Sequence, residues 1–245
     1  MKRILIITLA LLCIFSFSAC GKDNAYDLYS DATKKLEEAN GGEFNMTTKT
    51  TVTVAGKTES YEIKMNVKTN GNNMTITSED SEIMPFTSAT YIDGVLYMET
   101  DAGKIKSTVS LEDLDDELGS FGTTNTVEQL PDLTEDKLKD IELTEEDGIR
   151  SFTTTLTMDE LKPMMEGMGM DFDEMPEGLT FTATIKVSFD KKDNMTGYSL
   201  SINMGMTEDE YTISYVFDIA CDFVNPGTAP TITAPADAAD YVSAD

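Results

Sequence analysis

Leu179-Thr180-Phe181-Thr182-Ala183-Thr184-Ile185-Lys186-Val187-Ser188-Phe189 alternates apolar and polar residues without a break. Successive side chains of a strand point to opposite faces. A period of two therefore predicts a β-strand with one buried and one wetted face. The pattern spreads outward from here. Tyr198, Leu200, Ile202, Met204 and Met206 form a second apolar row, and Tyr211, Ile213, Tyr215, Phe217, Ile219, Cys221 and Phe223 a third. Lys192-Asp193-Asn194 and Glu208-Asp209-Glu210 join these rows as turns. Phe44, Met46, Thr48, Thr50, Val52 and Val54 share one face of an earlier strand. Tyr61, Ile63, Met65 and Val67 share one face of the next, and Met74 and Ile76 continue the theme. Gly56, Asn70-Gly71, Asp93-Gly94 and Asp147-Gly148 fall where tight hairpin turns are needed. Short turns between consecutive strands imply antiparallel neighbours.

A different period precedes the strands. Ala25, Leu28, Tyr29, Ala32, Leu36 and Ala39 lie three and four residues apart, the stripe of an amphipathic helix. Asp23 or Asn24 can cap its start, and Asn40-Gly41-Gly42 supplies a left-handed stop. Two further helix starts interrupt the strands. Ser110 precedes Asp113, and Thr157 precedes Glu160 as a full capping box. Val109 with Leu114, and Leu156 with Leu161, are placed to staple those first turns. The expected class is mainly β, in the α+β sense. About ten strands form a curved antiparallel sheet, with the N-terminal helix and two short inserted helices on its concave side. One long apolar face with so few helices to cover it is hidden best by curling the sheet into a half-barrel.

Composition excludes several functions. The 245 residues carry 45 acidic and 18 basic side chains, a formal charge of −27, and no His or Trp. Such a chain repels phosphate backbones, so no nucleic-acid partner is expected. Without His there is no imidazole base, no Ser-His-Asp triad and no His-ligated zinc. No Gly-x-Ser-x-Gly and no phosphate-cradling glycine loop is present either. The acidic clusters Glu112-Asp113, Asp115-Asp116-Glu117 and Asp171, Asp173, Glu174 lack the EF-hand pattern and read as solvated surface. The expectation is a protein that is not an enzyme and has no cofactor and no metal site.

The N-terminus sets the compartment. Lys2 and Arg3 precede an uncharged run from Ile4 to Ser18, too short for a membrane span and suited to an export signal. It closes with Phe17-Ser18-Ala19-Cys20, which resembles a bacterial lipobox, with Phe17 where Leu is commoner. The resemblance implies a diacylglyceryl group on Cys20 and cleavage before it. Residues 1–19 are then signal peptide, 20–24 a lipid-anchored tether, 25–235 one half-barrel domain and 236–245 a frayed tail. Cys221 is left as the one unmodified cysteine, on the apolar side of its strand. The protein is expected outside the cytoplasm, on the outer face of a cell membrane of Gram-positive type, with the membrane as partner through Cys20.

This order of elements resembles the LolA-like and LppX-like bacterial lipoproteins: N-terminal amphipathic helix, long antiparallel meander, helices inserted mid-chain and a Pro-bounded final segment. The resemblance implies that a lipid or other hydrophobic ligand binds inside the half-barrel. No residue-level site comes with it. The residues themselves offer one candidate, the methionine-rich stretch from Met158 to Met175. Met164, Met165, Met168, Met170 and Met175 are flexible, polarisable thioethers suited to a lid over varied apolar ligands. Pro163, Gly167 and Gly169 predict a poor regular helix there. The alternative is an interaction or sensor lipoprotein with a filled core, no small ligand and an unidentified protein partner.

Overall fold

The computed structural model describes residues 24–79, 84–111, 113–114, 130–167, 179–208 and 211–244. The chain opens with helix α1 (Ala25–Ala39). The Asn24 side chain accepts the Asp27 amide hydrogen at 2.8 Å. Asn40 ends the helix in a left-handed conformation (φ 50°, ψ 40°), its N–H bonding the Glu37 carbonyl. Gly41 then starts β1 at φ +152°. A Cβ there would lie 2.3 Å from the Thr69 carbonyl oxygen, so only glycine lets the chain turn from helix into sheet.

The first meander is β1 (Gly41–Val54), β2 (Lys57–Asn70), β3 (Asn73–Ser78), β4 (Ser88–Ile92), β5 (Val95–Thr100) and β6 (Gly103–Thr108). After helix α2 (Glu135–Leu138) comes β7 (Thr144–Glu146), β8 (Ile149–Leu156) and helix α3 (Met158–Gly167). The second meander then resumes with β9 (Thr180–Phe189), β10 (Met195–Glu208) and β11 (Tyr211–Val224). A 3₁₀ turn (Ala238–Asp240) and β12 (Val242–Ser243) finish the chain. All twelve described strands form one open, curved sheet in the order β12-β6-β5-β4-β3-β2-β1-β11-β10-β9-β8-β7. Every pairing is antiparallel except β12 with β6. One open curved sheet with an N-terminal helix and few short ones is the expected half-barrel class. Ala55-Gly56, Asp93-Gly94 and Asp147-Gly148 all have positive φ at both positions, the twist that two-residue hairpins require.

The apolar rows meet α1 in one core. Leu28, Ile185, Val187, Leu200 and Ile202 are sealed from solvent, and Tyr29 packs edge-on against Phe152. Lys35 ties the helix to the β9–β10 turn through the carbonyls of Lys192 and Asp193 and the Asn194 side chain. Arg150 pairs with Asp193 at the same corner.

Several expectations change. The sheet has twelve strands instead of about ten. β7 and β12 are three and two residues long, too short to show alternation. Helix α2 was not anticipated; its buried Leu138 is one apolar residue in a polar stretch. The stretch 236–245, read as a frayed tail, carries β12 over its described part. Tyr241 is buried there, with its ring 5.3 Å from that of Tyr97, Lys104 pairs with Asp237, and Val242 faces Ile105. The open edge of β6 supplies the hydrogen-bonding groups that hold it. Helix α3 continues through Pro163 to Gly167, where a poor helix was expected. Proline removes one backbone bond, and the capping box with buried Leu161 holds the preceding turn. The helix start at Ser110 has its cap in place, the Asp113 N–H donating to the Ser110 hydroxyl. Glu112 and the residues from 115 onward lie outside the described residues.

Candidate functional site

The strands differ in length, and that difference makes the site. β1, β2, β10 and β11 each run for 14 residues, whereas β3 has 6 and β9 has 10. The sheet thus has a closed end and an open end. At the closed end lie the α1 C-cap, the Asn70–Asn73 turn and the β9–β10 turn. The open end is the projecting part of the four long strands, with β9 starting beside it at Thr180.

Register sets the concave face at this open end. Met46 faces Met65 and Cys221, Thr48 faces Ile63 and Ile219, and Thr50 faces Tyr61 and Phe217. Val52 lies opposite Tyr215, and Val54 opposite Ile213. On the far side Ile202, Met204 and Met206 face Phe217, Tyr215 and Ile213, and Phe181 flanks Met204. Burial decays along these rows. On β11, Cys221 and Ile219 are buried, Phe217 is half-buried and Tyr215 is 37% exposed. On the neighbours Val54 is 44% and Tyr61 52% exposed. An apolar row that leaves its own core is what distinguishes this face from an ordinary surface. The open patch is about 13 Å along β11 from Phe217 to Ile213 and about 19 Å across from β2 to β9, from standard strand geometry. Tyr215 and Phe217 stack within it, centroids 6.4 Å apart.

The expected burial phase holds in the core and relaxes at the open end. Ile185 is buried and Lys186 exposed, as the alternation predicts. Lys64 is exposed, but Ile63 and Ile213 are only half-buried, and so is Ser214. The fully buried rows lie at the closed end beside α1, and burial falls off along the strands beyond it.

Of the residues singled out in sequence, Cys20, Met168, Met170 and Met175 lie outside the described residues. Met164 and Met165 fall in α3, their side chains outside what is described. Helix α3 ends at Gly167, and β9 opens at Thr180 at the side of the apolar patch. The start of α3 is well held. Thr157 N–H donates to Glu160 Oε2 at 2.6 Å, and Lys137 Nζ of α2 donates to the same oxygen at 3.0 Å. Burial pushes the Glu160 carboxyl up, but these bonds outweigh it and hold its pKa below the ordinary value.

On the same face of β2, Glu59 lies opposite Val52 and Lys57 opposite Val54. Among the described residues no cluster of three or more His, Cys, Asp or Glu side chains is placed to hold a metal. Cys221 is buried beside Tyr198, and burial pushes its thiol pKa far up, with Asp222 adding to the shift. It is an inert core thiol. No described helix is long and apolar enough to cross a membrane. Sequence reasoning put Tyr61 and Tyr215 in the apolar rows but did not anticipate their exposure. The signal for them was strand length, which outran the helix available to cover it.

No protein-family model matches the chain, and no curated protein matches it. Solved structures do. The chain is similar to a LolA superfamily protein from Nitrosomonas europaea, at 12% identity over 82% of this chain and 94% of that one, TM-score 0.28. It is similar to LprF from Mycobacterium bovis, at 11% identity over 84% and 97%, TM-score 0.35. A DUF1329 family protein from Desulfovibrio piger matches at 10% identity over 83% and 95%, TM-score 0.27. These are likenesses of fold.

Proposed function

We propose that this chain is a membrane-anchored extracytoplasmic lipoprotein that seats an acyl chain on the open concave end of its half-barrel, without catalysis. The observation that carries the reading is the apolar row of β2, β1, β11 and β10, which continues past the core to exposed Tyr61, Val54 and Tyr215. Each methylene moved from water onto such a surface contributes about 0.8 kcal/mol. The closed half is filled by α1, so the ligand sits on the projecting strands and not deep in the core. Met164, Met165, Met168, Met170 and Met175 serve as the adaptable cover, a reading supported by their flexible thioethers.

The anchor supports the same reading. A diacylated Cys20 holds the protein stably at a bilayer, as one chain would not. Residues 21–24 span at most about 13 Å, so the open sheet stands within reach of the headgroups. Without Lys2 and Arg3 of the signal peptide the anchored chain carries 16 basic and 45 acidic side chains, a charge of −29, which repels anionic lipid over about 10 Å at 0.1 M salt and keeps contact brief. The outer face of a Gram-positive-type cell membrane is the location proposed. A packed closed half also fits an interaction lipoprotein that offers the same patch to a protein. Mass spectrometry of organic extracts of the natively purified soluble domain separates the two. Co-purified lipid, with uptake of a fluorescent fatty acid, is the expected result. No lipid and no uptake would refute acyl binding in favour of the protein partner.

A further inference from the structure

Two threonines sit in the floor of the apolar patch. On β1 two outward hydroxyls are satisfied across the hairpin, Thr51 by Ser60 and Thr53 by Thr58, each at 2.9 Å, while outward Thr47 makes no such bond among the described residues. The inward ones have no such partner. Thr48 lies between Ile63 and Ile219, and Thr50 between Tyr61 and Phe217. The Tyr61 hydroxyl donates to Glu59 instead of turning to Thr50. Among the described residues neither inward hydroxyl has a hydrogen-bond partner, and both are half-buried. Valine would continue the row of Val52 and Val54 and lose nothing in strand preference. Two adjacent donors with apolar side chains around them suit a ligand that brings an acceptor to the middle of the patch.

We propose that Thr48 and Thr50 select an acyl chain carrying a neutral ester over one without oxygen, their hydroxyls donating to the ester oxygens while the chain lies on the flanking apolar side chains. This rests on the reading of the open end as an acyl-chain seat. A free carboxylate fits less well. The cation of β2 on this face is Lys57, four residues from Tyr61 and so about 13 Å along the strand. A carboxylate beside Phe217 would be desolvated without a counter-charge.

The test is displacement of a bound environment-sensitive dye, 1-anilinonaphthalene-8-sulfonate, from the soluble domain by methyl palmitate, palmitic acid and hexadecane. Wild type is expected to bind methyl palmitate more tightly than hexadecane by roughly 2- to 12-fold per hydrogen bond. The double substitution Thr48→Val with Thr50→Val should remove that preference and leave hexadecane unchanged. Circular dichroism and the dye titration of the variant check that it folds. Equal affinity for ester and alkane in wild type, or a preference that survives the double substitution, would overturn the assignment while leaving acyl binding intact. Tightest binding by palmitate at pH 7 would overturn the neutral ester. Displacement by none of the three would refute the acyl seat itself, and the threonine assignment with it.

Discussion

The same substitution, Ile to Ala, made at two places on the concave face should have unequal cost. Ile185 is fully buried on β9 between Thr154 and Leu200. Ile213 lies on β11 opposite Val54 and Met206 and is half-buried. Each change removes three carbons, worth about 2.4 kcal/mol of transfer if fully buried. At Ile185 the surrounding Leu200 and α1 cannot collapse into the space, so a cavity term adds and the loss should reach about 3–5 kcal/mol. At Ile213 only about half the transfer is at stake and solvent fills the gap, so about 1 kcal/mol is expected. Urea unfolding of delipidated protein, followed by far-ultraviolet circular dichroism, measures both as midpoint shifts at constant slope. Equal losses at the two positions would show that the open end is as closely packed as the core. That would refute the argument for a ligand surface.

Other outcomes follow from single contacts. Gly41→Ala should destabilise by about 1–3 kcal/mol from backbone strain alone, because its Cβ would strike Thr69; a neutral effect in thermal unfolding would contradict the turn geometry. Glu160→Gln should cost about 1 kcal/mol at pH 7 through the lost Lys137 pair and cap. The folded Glu160 pKa lies below the ordinary 4.5, so this stability is present above that value. It fades as pH falls through the folded pKa, and the two proteins should converge in acid; a pH-independent gap would refute the assignment. Cys221 should resist iodoacetamide at pH 8 in native protein and react once unfolded, since its thiol is buried and held protonated. Cys20→Ala should leave the protein unprocessed or released; a mature-sized band that stays in the membrane fraction would sink the lipobox reading.

What could be read from the chain was the local periodicity. Alternation from Thr180 to Phe189 and from Tyr211 to Phe223 depends only on neighbours two apart, and the strands appear where it runs. Caps at Asn24, Asn40 and Thr157 are equally local, since each bonds an amide or carbonyl within four residues. The rest depends on contacts between distant segments. β12 pairs with β6 because an edge was left open about 137 positions earlier, from Ile105 to Val242. α2 exists because Leu138 reaches the core and Lys137 reaches Glu160, 23 residues on. The phase of Ile213 was read correctly but not its depth. Depth is set by how far α1 extends over the sheet, which alternation does not encode. For the candidate patch, the apolar rows were visible, while their exposure and the two unpartnered threonines emerge only when β1 is laid beside β2 and β11.

The central claim is that an acyl chain lies on the open concave end. It is tested most directly with a palmitoyl probe bearing a photoreactive diazirine along its chain, irradiated on the purified domain and mapped by peptide mass spectrometry. Adducts are predicted on Val52, Val54, Tyr61, Ile213 and Tyr215, competed away by unlabelled ligand. Adducts confined to the convex face, around Lys49, Lys186 and Ser199, or adducts that unlabelled ligand does not reduce, would contradict the account.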